Sequence, residues 1–355
     1  MPYLPLYLAH LGFSGTEIGV AVGLPSVLRW TGAIAWAHLA DRWRVRHRLL
    51  VVLALAGGAL TVPLLVVRGF PAVALVLGAT ALMHGPLIPL LDATVMDNLP
   101  RLGGDYGRLR LWGSMSFILG ALGSAPLVAA FSPAVIPLLL LLPNLGLAPA
   151  LFTLPRAQHG RAAAFRPPWR LLTPPLTAFL ATVFLVQTSS GAWGGIFAVH
   201  TAALGLPSSV PGVAWGLAVA AEVVLFRWGR PLLARISAPR LVLAVVVLTA
   251  GRWVATAYAE RAWLVVALQL GHGISFSALH LAAQVLLARL VPGESSSGGQ
   301  ALYGLAGFGL GGSGGMWLAG TLADRMSTSS VFLVDAGIAL LALPFALRLR
   351  RLASR

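Results

Sequence analysis

The feature that most constrains the fold is a series of apolar stretches, each long enough to cross a lipid bilayer. A membrane-spanning helix needs about 20 mostly apolar residues, because the hydrocarbon core is about 30 Å thick. Eleven such stretches cover residues 16–40, 49–67, 71–98, 107–130, 132–154, 174–200, 210–234, 241–258, 262–290, 299–320 and 328–347. A shorter apolar run, 1–13, precedes them. The sequence therefore predicts an all-α membrane protein of about twelve transmembrane helices, the first truncated, and we expect the native chain to start upstream of Met1.

Composition supports a membrane protein and excludes other classes. The chain is 58% hydrophobic and 10% charged, whereas soluble domains are about a quarter charged. The net charge of +15 would suit a nucleic-acid partner, but the arginines fall between apolar stretches and form no soluble basic face. Cysteine is absent, which excludes disulfides, thiol catalysis and cysteine-based zinc sites.

The connections between stretches alternate between arginine-rich and nearly uncharged. One side carries Arg42, Arg44, Arg46, Arg48, Arg101, Arg108, Arg156, Arg161, Arg166, Arg170, Arg227, Arg230, Arg235, Arg240, Arg289, Arg348, Arg350, Arg351 and Arg355, and the other carries Arg68, Arg261 and Arg325. Cytoplasmic loops are enriched in arginine and lysine. We therefore expect a multi-pass protein of the cytoplasmic (inner) membrane, with both termini in the cytoplasm.

The longest connection, residues 155–173, is rich in proline and arginine and divides the chain into two parts. It predicts a six-helix half over 1–154, a cytoplasmic linker over 155–173 and a second six-helix half over 174–355. Short motifs recur between the halves: His84-Gly85 is matched by His272-Gly273, and Gly107-Arg108 by Gly299-Gln300. This order and nearly constant offset indicate an internal repeat, a known transporter plan.

Charged side chains lie within apolar stretches of the first half. Burying a charge in a bilayer costs several kcal/mol, about 3 on insertion scales, so such residues usually face a partner or a watery cavity. Asp92 is well inside its stretch, and Arg110, followed by Trp112, is the deeper of two arginines. Because Arg108 is about 200° from Arg110 on a helix, only one of them faces a cavity shared with Asp92. The alternative for Asp92 is a structural buried acid, and Asp97 suits a solvated or capping role.

In the second half, Glu222, Arg252 and His272 lie on three consecutive apolar stretches. They form either a static ion-pair network or a proton-linked site in which a carboxylate and a histidine titrate. His280 and His84 are weaker candidates, since a lone histidine on an apolar helix is more often a satisfied core residue. Arg29 lies near the position in its half that Glu222 occupies, and we expect an acidic partner for it.

The remaining polar and aromatic positions are less specific. The run Gly311-Gly-Ser313-Gly-Gly315 matches the G-x-S-x-G hydrolase pattern in letters alone, because a nucleophile elbow needs a preceding strand. Gln187 and Asp335 either line a cavity or pair locally. Four tryptophans are candidates for stacking on a sugar or an aromatic acid, or for the membrane interface: Trp30, Trp112, Trp193 and Trp215.

Three groups of residues carry a family resemblance. Leu39-Ala-Asp41-Arg42 resembles the loop signature of the major facilitator superfamily, in which Asp41 and Arg42 govern conformational change. Pro89-x-x-Asp92-Ala and Gly107-Arg108-x-Arg110-x-Trp112 resemble the lactose permease-like branch. Tyr3-Leu-Pro-Leu-Tyr, Asp105-Tyr-Gly-Arg-Leu-Arg-Leu-Trp and Gly299-Gln-Ala-Leu-Tyr303 resemble the phenylpropionate permease branch.

The resemblance implies roles for individual residues. Asp92, Arg110 and Trp112 are implied to bind solute, and Glu222, Arg252, His272 and His280 to form a network that couples solute to protons. One position departs from the pattern, because Ser275 stands where the lactose permease-like branch has a proton-carrying carboxylate. The implied carrier of the proton is therefore another group, Glu222 or Asp92.

Together these features predict a secondary transporter and not an enzyme, since no nucleophile, metal cluster or paired catalytic carboxylates lie together. The expected partners are a small organic solute (aromatic acid, sugar or nucleoside-like), protons and the lipid bilayer. The expected energy source is the proton gradient, with no cofactor or metal, and the expected state is a monomer. Alternatives are efflux of drugs or metabolites by the same fold, and a receptor that does not transport.

Overall fold

The computed structural model describes residues 2–43, 45–102, 106–154, 168–227, 235–292 and 295–353. Within these ranges the chain is helical and contains no β-strand. Eight helical stretches are long and apolar enough to cross a membrane: Arg46–Leu65, Phe70–Asp92, Trp112–Phe131, Pro133–Phe152, Val210–Arg227, Ala238–Ala257, Ala262–Leu290 and Thr328–Leu352. The predicted all-α membrane fold is confirmed.

Seven α-helices lie in the described part of the first half. They are α1 (Leu4–His10), α2 (Gly15–Trp43), α3 (Arg46–Thr61), α4 (Phe70–His84), α5 (Leu87–Leu102), α6 (Tyr106–Phe131) and α7 (Ile136–Phe152). The sequence predicted one continuous span over 71–98, but the structure divides it between α4 and α5. Pro86 lies at this break and has no backbone N–H to donate, which explains why the helix is interrupted there.

The second half contains more, shorter helices. They are α8 (Pro174–Thr188), α9 (Gly191–Gly195), α10 (Phe197–Ala203), α11 (Val210–Arg227), α12 (Ala238–Ala257), α13 (Ala262–Leu268), α14 (Leu270–Leu290), α15 (Ser296–Gly304), α16 (Ser313–Ala323), α17 (Thr328–Leu341) and α18 (Leu343–Ala353). A π-helical turn, Leu305–Gly312, joins α15 to α16. The predicted span 174–200 is broken twice, between α8 and α9 and between α9 and α10. The short glycine-rich helix α9 contains Trp193, which is buried.

Each half has its own apolar core, and helix pairs join the halves. Core residues of the first half include Leu50, Leu53 and Leu64, and those of the second include Phe179, Val245 and Phe332. Helix α2 packs along α16, and α6 packs along α11. The site lies between these two contacts. The boundary predicted at 155–173 stays a prediction, because residues 155–167 lie outside the described ranges.

At the end of the molecule opposite the arginine-rich loops, hydrogen bonds connect the two halves. The Asp324 carboxylate, at the end of α16, accepts from the Gly15 and Thr16 backbone N–H groups and from the Thr16 hydroxyl. The Tyr3 hydroxyl donates to the Ser208 carbonyl oxygen at 3.1 Å and accepts from the Gly212 N–H at 3.0 Å. These contacts hold the halves together at this end.

Candidate functional site

A cavity of about 430 Å³ lies between the two halves. Its polar wall comes from the first half: Ser26, Arg29, Thr61, Thr80, His84 and Asn144. Its aromatic side chains come from the second half, Trp193, Phe197 and Trp215, and its other apolar side chains come from both halves. A concave site that is mostly apolar and has a few convergent polar groups is typical of small-molecule binding.

Gly85 fixes the position of Arg29 at the polar wall. A Cβ atom at Gly85 would lie 2.9 Å from the Arg29 Cα and closer still to the Arg29 carbonyl oxygen. Only glycine therefore allows α2 to approach the α4–α5 junction this closely. His84 precedes this glycine, and both His84 and Arg29 line the cavity. Nearby, the Asn144 amide donates to the Thr61 hydroxyl at 3.3 Å.

The second half contains a similar close contact between a glycine and a neighbouring helix, but the charged residue beside it is the acid Glu222. A Cβ atom at Gly273 would lie 2.9 Å from the Glu222 backbone nitrogen, so this glycine brings α14 against α11. His272 precedes it, and His272 Nε2 lies 3.3 Å from Glu222 Oε1. The structure thus brings together Glu222 and His272, and their role in proton coupling stays a prediction. The structure also explains the recurring His-Gly pair, because both glycines make the same close helix contact.

Two tryptophans form the aromatic wall and cover this ion pair. The Trp193 and Trp215 rings are stacked, with centroids 4.4 Å apart and an interplanar angle of 22°. The His272 ring lies 5.4 Å from Trp193 and 6.1 Å from Trp215. A solute that stacks on these indoles therefore lies one layer from the Glu222–His272 pair.

Arg252 lies deeper in the second half. Its guanidinium carbon is 3.7 Å from the centroid of the Trp253 ring and 5.8 Å from that of Trp193, which is cation–π geometry. One guanidinium nitrogen donates to the Ser275 hydroxyl at 3.4 Å. The hydroxyl at position 275 therefore binds the arginine, at the position where the resembling branch has a carboxylate.

Asp335 is a buried acid that holds the backbone beside Trp193. It is 2% exposed on α17 and accepts from the Ala192 N–H at 2.9 Å. The sequence analysis left Asp335 unassigned. Its own stretch gave no sign of this role, because the N–H group that it binds lies on another helix.

His280 lies two turns beyond His272 on the same face of α14. Phe276 stacks between the two histidines, with ring centroids 5.6 and 6.3 Å away. Nδ1 of His280 is 3.2 Å from the Tyr303 hydroxyl, and Nε2 is 3.4 Å from the Gln284 amide nitrogen. The predicted network of Glu222, Arg252, His272 and His280 thus lies in one region.

The predicted first-half residues are placed only in part. Asp92 is half-buried on α5, and Trp112 on α6 is 71% exposed. The Arg110 side chain lies outside the described residues, so its pairing with Asp92 stays a prediction. Asp41 and Arg42 lie near the end of α2, and their side chains are likewise outside the described part.

The cavity wall also contains residues that the sequence analysis did not assign to solute. Arg29 was expected to pair with an acid, yet it faces the cavity and makes no ion pair within the described ranges. Asn144 was not singled out. Its position in an apolar, proline-containing stretch was the available signal, since a polar amide is costly in a bilayer unless it faces a partner or water.

Where it is described, the chain is helical, eight of its helical stretches are long and apolar enough to cross a membrane, and residues from both ends of the sequence line one cavity. This arrangement is typical of a membrane transporter of small solutes. The profile of the MFS_1 like family matches residues 1–334. The chain belongs to this family of major facilitator transporters, as the sequence motifs predicted. Its biological activity is therefore transport, not catalysis.

Individual relatives agree with this assignment. The chain is 30% identical over 304 residues to the probable 3-phenylpropionic acid transporter of Escherichia coli, covering 81% of this chain and 77% of that protein. It is 29% identical over 339 residues to the maltose permease of Geobacillus stearothermophilus, covering 94% and 85%. The crystal structure of the nucleoside transporter NupG superposes with a TM-score of 0.84 at 15% identity, covering 98% and 96%, and shows the shared fold.

Proposed function

We propose that this protein is a proton symporter that moves a small organic solute across the cytoplasmic membrane by alternating access. The solute binds between the two halves, which rock about α2, α16, α6 and α11. The proton gradient supplies the energy, and the carrier acts as a monomer with both termini in the cytoplasm. Asp92, Arg110 and Trp112 bind solute nearer the arginine-rich end, and Asp41 and Arg42 act in closing that end.

One observation carries the proposal: the Glu222–His272 pair lies directly behind the stacked Trp193 and Trp215. A symporter must link proton binding to solute binding, and linkage requires that the two sites sense one another. Protonation of Glu222 would remove the charge facing His272, and His272 contacts both indoles. Occupancy of the aromatic wall and the proton on Glu222 therefore act on the same imidazole.

The names of the related proteins limit the chemical class of the expected solute. The relatives described above are an aromatic acid transporter, a maltose permease and a nucleoside transporter. All three solutes are small, and each offers a ring to a tryptophan face, which supports a ring-containing organic solute. The same fold can export solute, so the direction of net transport is measured with inward and outward gradients.

The coupling role of Glu222 is tested with Glu222→Gln in proteoliposomes. Glutamine keeps the hydrogen-bonding shape and removes the titration. We expect this variant to exchange labelled solute across the membrane at near wild-type rates, but to lose accumulation against a gradient under an imposed pH difference. Glu260→Gln, at an exposed connection, serves as the matched control and should accumulate solute normally.

Other results would assign the proton elsewhere. Normal accumulation by Glu222→Gln would make Glu222 structural and leave Asp92 or a histidine as the proton carrier. If wild-type protein transports solute but ignores the pH difference, the symport proposal is wrong and facilitated diffusion replaces it.

A further inference from the structure

The described residues of the polar wall of the cavity include basic side chains but no acidic side chain. Among the described residues that line the cavity, Arg29 is charged and His84 is basic, and none is an aspartate or glutamate. Arginine stays protonated in such a site, and its planar fork matches the geometry of a carboxylate. A cation at membrane depth without a counter-ion is costly. This wall therefore favours a ligand that brings a negative charge.

The internal repeat indicates what is missing from this wall. Gly85 contacts the Arg29 backbone as Gly273 contacts the Glu222 backbone, and a histidine precedes each glycine. In the second half the histidine faces the Glu222 carboxylate. In the first half the equivalent position is a cation, and the buried His84 Nε2 has no hydrogen-bond partner among the described residues. A carboxylate from the ligand would complete this half of the pattern.

The opposite wall favours an aromatic ring on the same ligand. Trp193 and Trp215 present stacked indoles, and Phe197 lies beside them with its ring 4.5 Å from Trp193. The volume of about 430 Å³ suits one small molecule, since ligand sites begin at roughly 300 Å³. Charge on one wall and ring stacking on the other require a short spacer between the two groups of the ligand.

We infer that the cavity binds a small arylalkyl carboxylate, with the carboxylate on Arg29 beside His84 and Asn144, and the ring on Trp193 and Trp215. This assignment rests on the proposed function and selects among its solute classes. A neutral sugar or nucleoside would offer no negative charge to the Arg29 guanidinium, which is exposed to the cavity, and hydrogen bonds between two charged groups are stronger than those to a neutral group.

Binding is tested on purified protein in detergent by isothermal titration calorimetry. The ligands are phenylacetate, 3-phenylpropionate and 4-phenylbutyrate, each with its uncharged amide and its cyclohexyl analogue. At least one of these acids should bind, its amide should bind roughly tenfold more weakly or worse because the charged hydrogen bonds are lost, and its cyclohexyl analogue should also be weaker. Maltose and uridine should bind more weakly than that acid.

Variants then locate the carboxylate. Arg29→Gln should weaken binding of the acid roughly tenfold or more and leave the amide unchanged. Arg29→Lys, which keeps the charge but not the fork, should be intermediate. Arg261→Gln removes an exposed arginine in the connection between α12 and α13. This variant is the control and should bind the acid normally. If Arg29→Gln fails to fold, the comparison of acid and amide on wild-type protein still decides.

Three results would overturn the assignment: no acid in the series binds at millimolar concentration, acid and amide bind equally, or a sugar or nucleoside binds best and is unaffected by Arg29→Gln. Because no proton gradient is present, the outcome is independent of coupling. A carrier that binds these acids but ignores a pH difference would contradict symport and leave the carboxylate site intact.

Discussion

At the scale of single residues, the buried Asp335 side chain holds the backbone next to the aromatic wall. Its carboxylate accepts from the Ala192 N–H, and Ala192 precedes Trp193 in the short helix α9. Arg252 lies over the Trp253 ring on the other side. Asp335 therefore positions Trp193 through the backbone, without itself lining the cavity.

Substitution of Asp335 should affect both stability and solute affinity. Asp335→Ala leaves the Ala192 N–H unsatisfied, at a cost of about 1–3 kcal/mol. We expect a lower melting temperature and a higher KM for transport. Asp335→Asn retains an acceptor for the N–H, so its KM should change less.

A double variant tests whether Asp335 and Arg252 interact. The interaction is measured as the coupling free energy of a double-mutant cycle that combines Arg252→Gln with Asp335→Asn, and we expect a coupling different from zero because both side chains are buried near Trp193. Additive losses in the cycle would show that the two side chains act independently. An unchanged KM in Asp335→Ala would remove the positioning role.

At the scale of elements, the end of α16 caps the beginning of α2. The four N-terminal N–H groups of a helix lack intrahelical partners, and the Asp324 carboxylate satisfies those of Gly15 and Thr16 across the boundary between the halves. Partial burial acts to raise the pKa of the Asp324 carboxyl, but the bonds from Thr16 and Gly15 outweigh it and hold that pKa below its usual value of 3.8.

This cap should favour closure of the end of the molecule at which Asp324 lies. The pH dependence of this effect follows from the lowered pKa of Asp324. The contribution is fully present above the usual value of 3.8 and is lost as the pH falls through the lowered value. The natural chain has no cysteine, so spin labels at Val66→Cys and Glu260→Cys report the distance between the halves directly. Asp324→Ala should shift the distribution toward longer distances at neutral pH.

A neighbouring acid provides the control for this experiment. Glu17 accepts from the Ser14 N–H at 2.9 Å within the first half only, so Glu17→Ala should leave the distance unchanged. Equal shifts in both variants would mean that loss of charge at this end, and not the cap between the halves, controls closure.

At the scale of the whole molecule, the alternation of arginine-rich and nearly uncharged connections along the sequence predicts which end of the helical bundles is cytoplasmic. Reporter fusions after Arg46 and after Arg166 should both score cytoplasmic, and a fusion after Gly205 should score periplasmic, because basic loops remain on the cytoplasmic side. The measurement is the ratio of a reporter active only in the cytoplasm to one active only in the periplasm. Opposite scores at Arg46 and Arg166 would contradict an even number of spans between them.

The sequence alone determined the class of fold, because apolar length and alternating arginines follow from the bilayer and need no knowledge of packing. It also predicted the grouping of Glu222, Arg252 and His272, since buried charges on successive spans need one another. Helix interruptions such as the one at Pro86 were harder to predict from the sequence, because the length of an apolar stretch does not show where a helix within it is interrupted.

Only the tertiary structure decided what faces the cavity. Arg29 and Asp335 are each the only charged residue in their part of an apolar stretch. The sequence around such a residue is the same whether its side chain contacts a ligand, an acid on another helix or a backbone N–H. The similarity of Gly85 and Gly273 is likewise explained only by their contacts with the backbones of Arg29 and Glu222, which are more than 50 residues away in the sequence in each case. Side-chain chemistry sets which partners are possible, and the helix packing between the two halves selects among them.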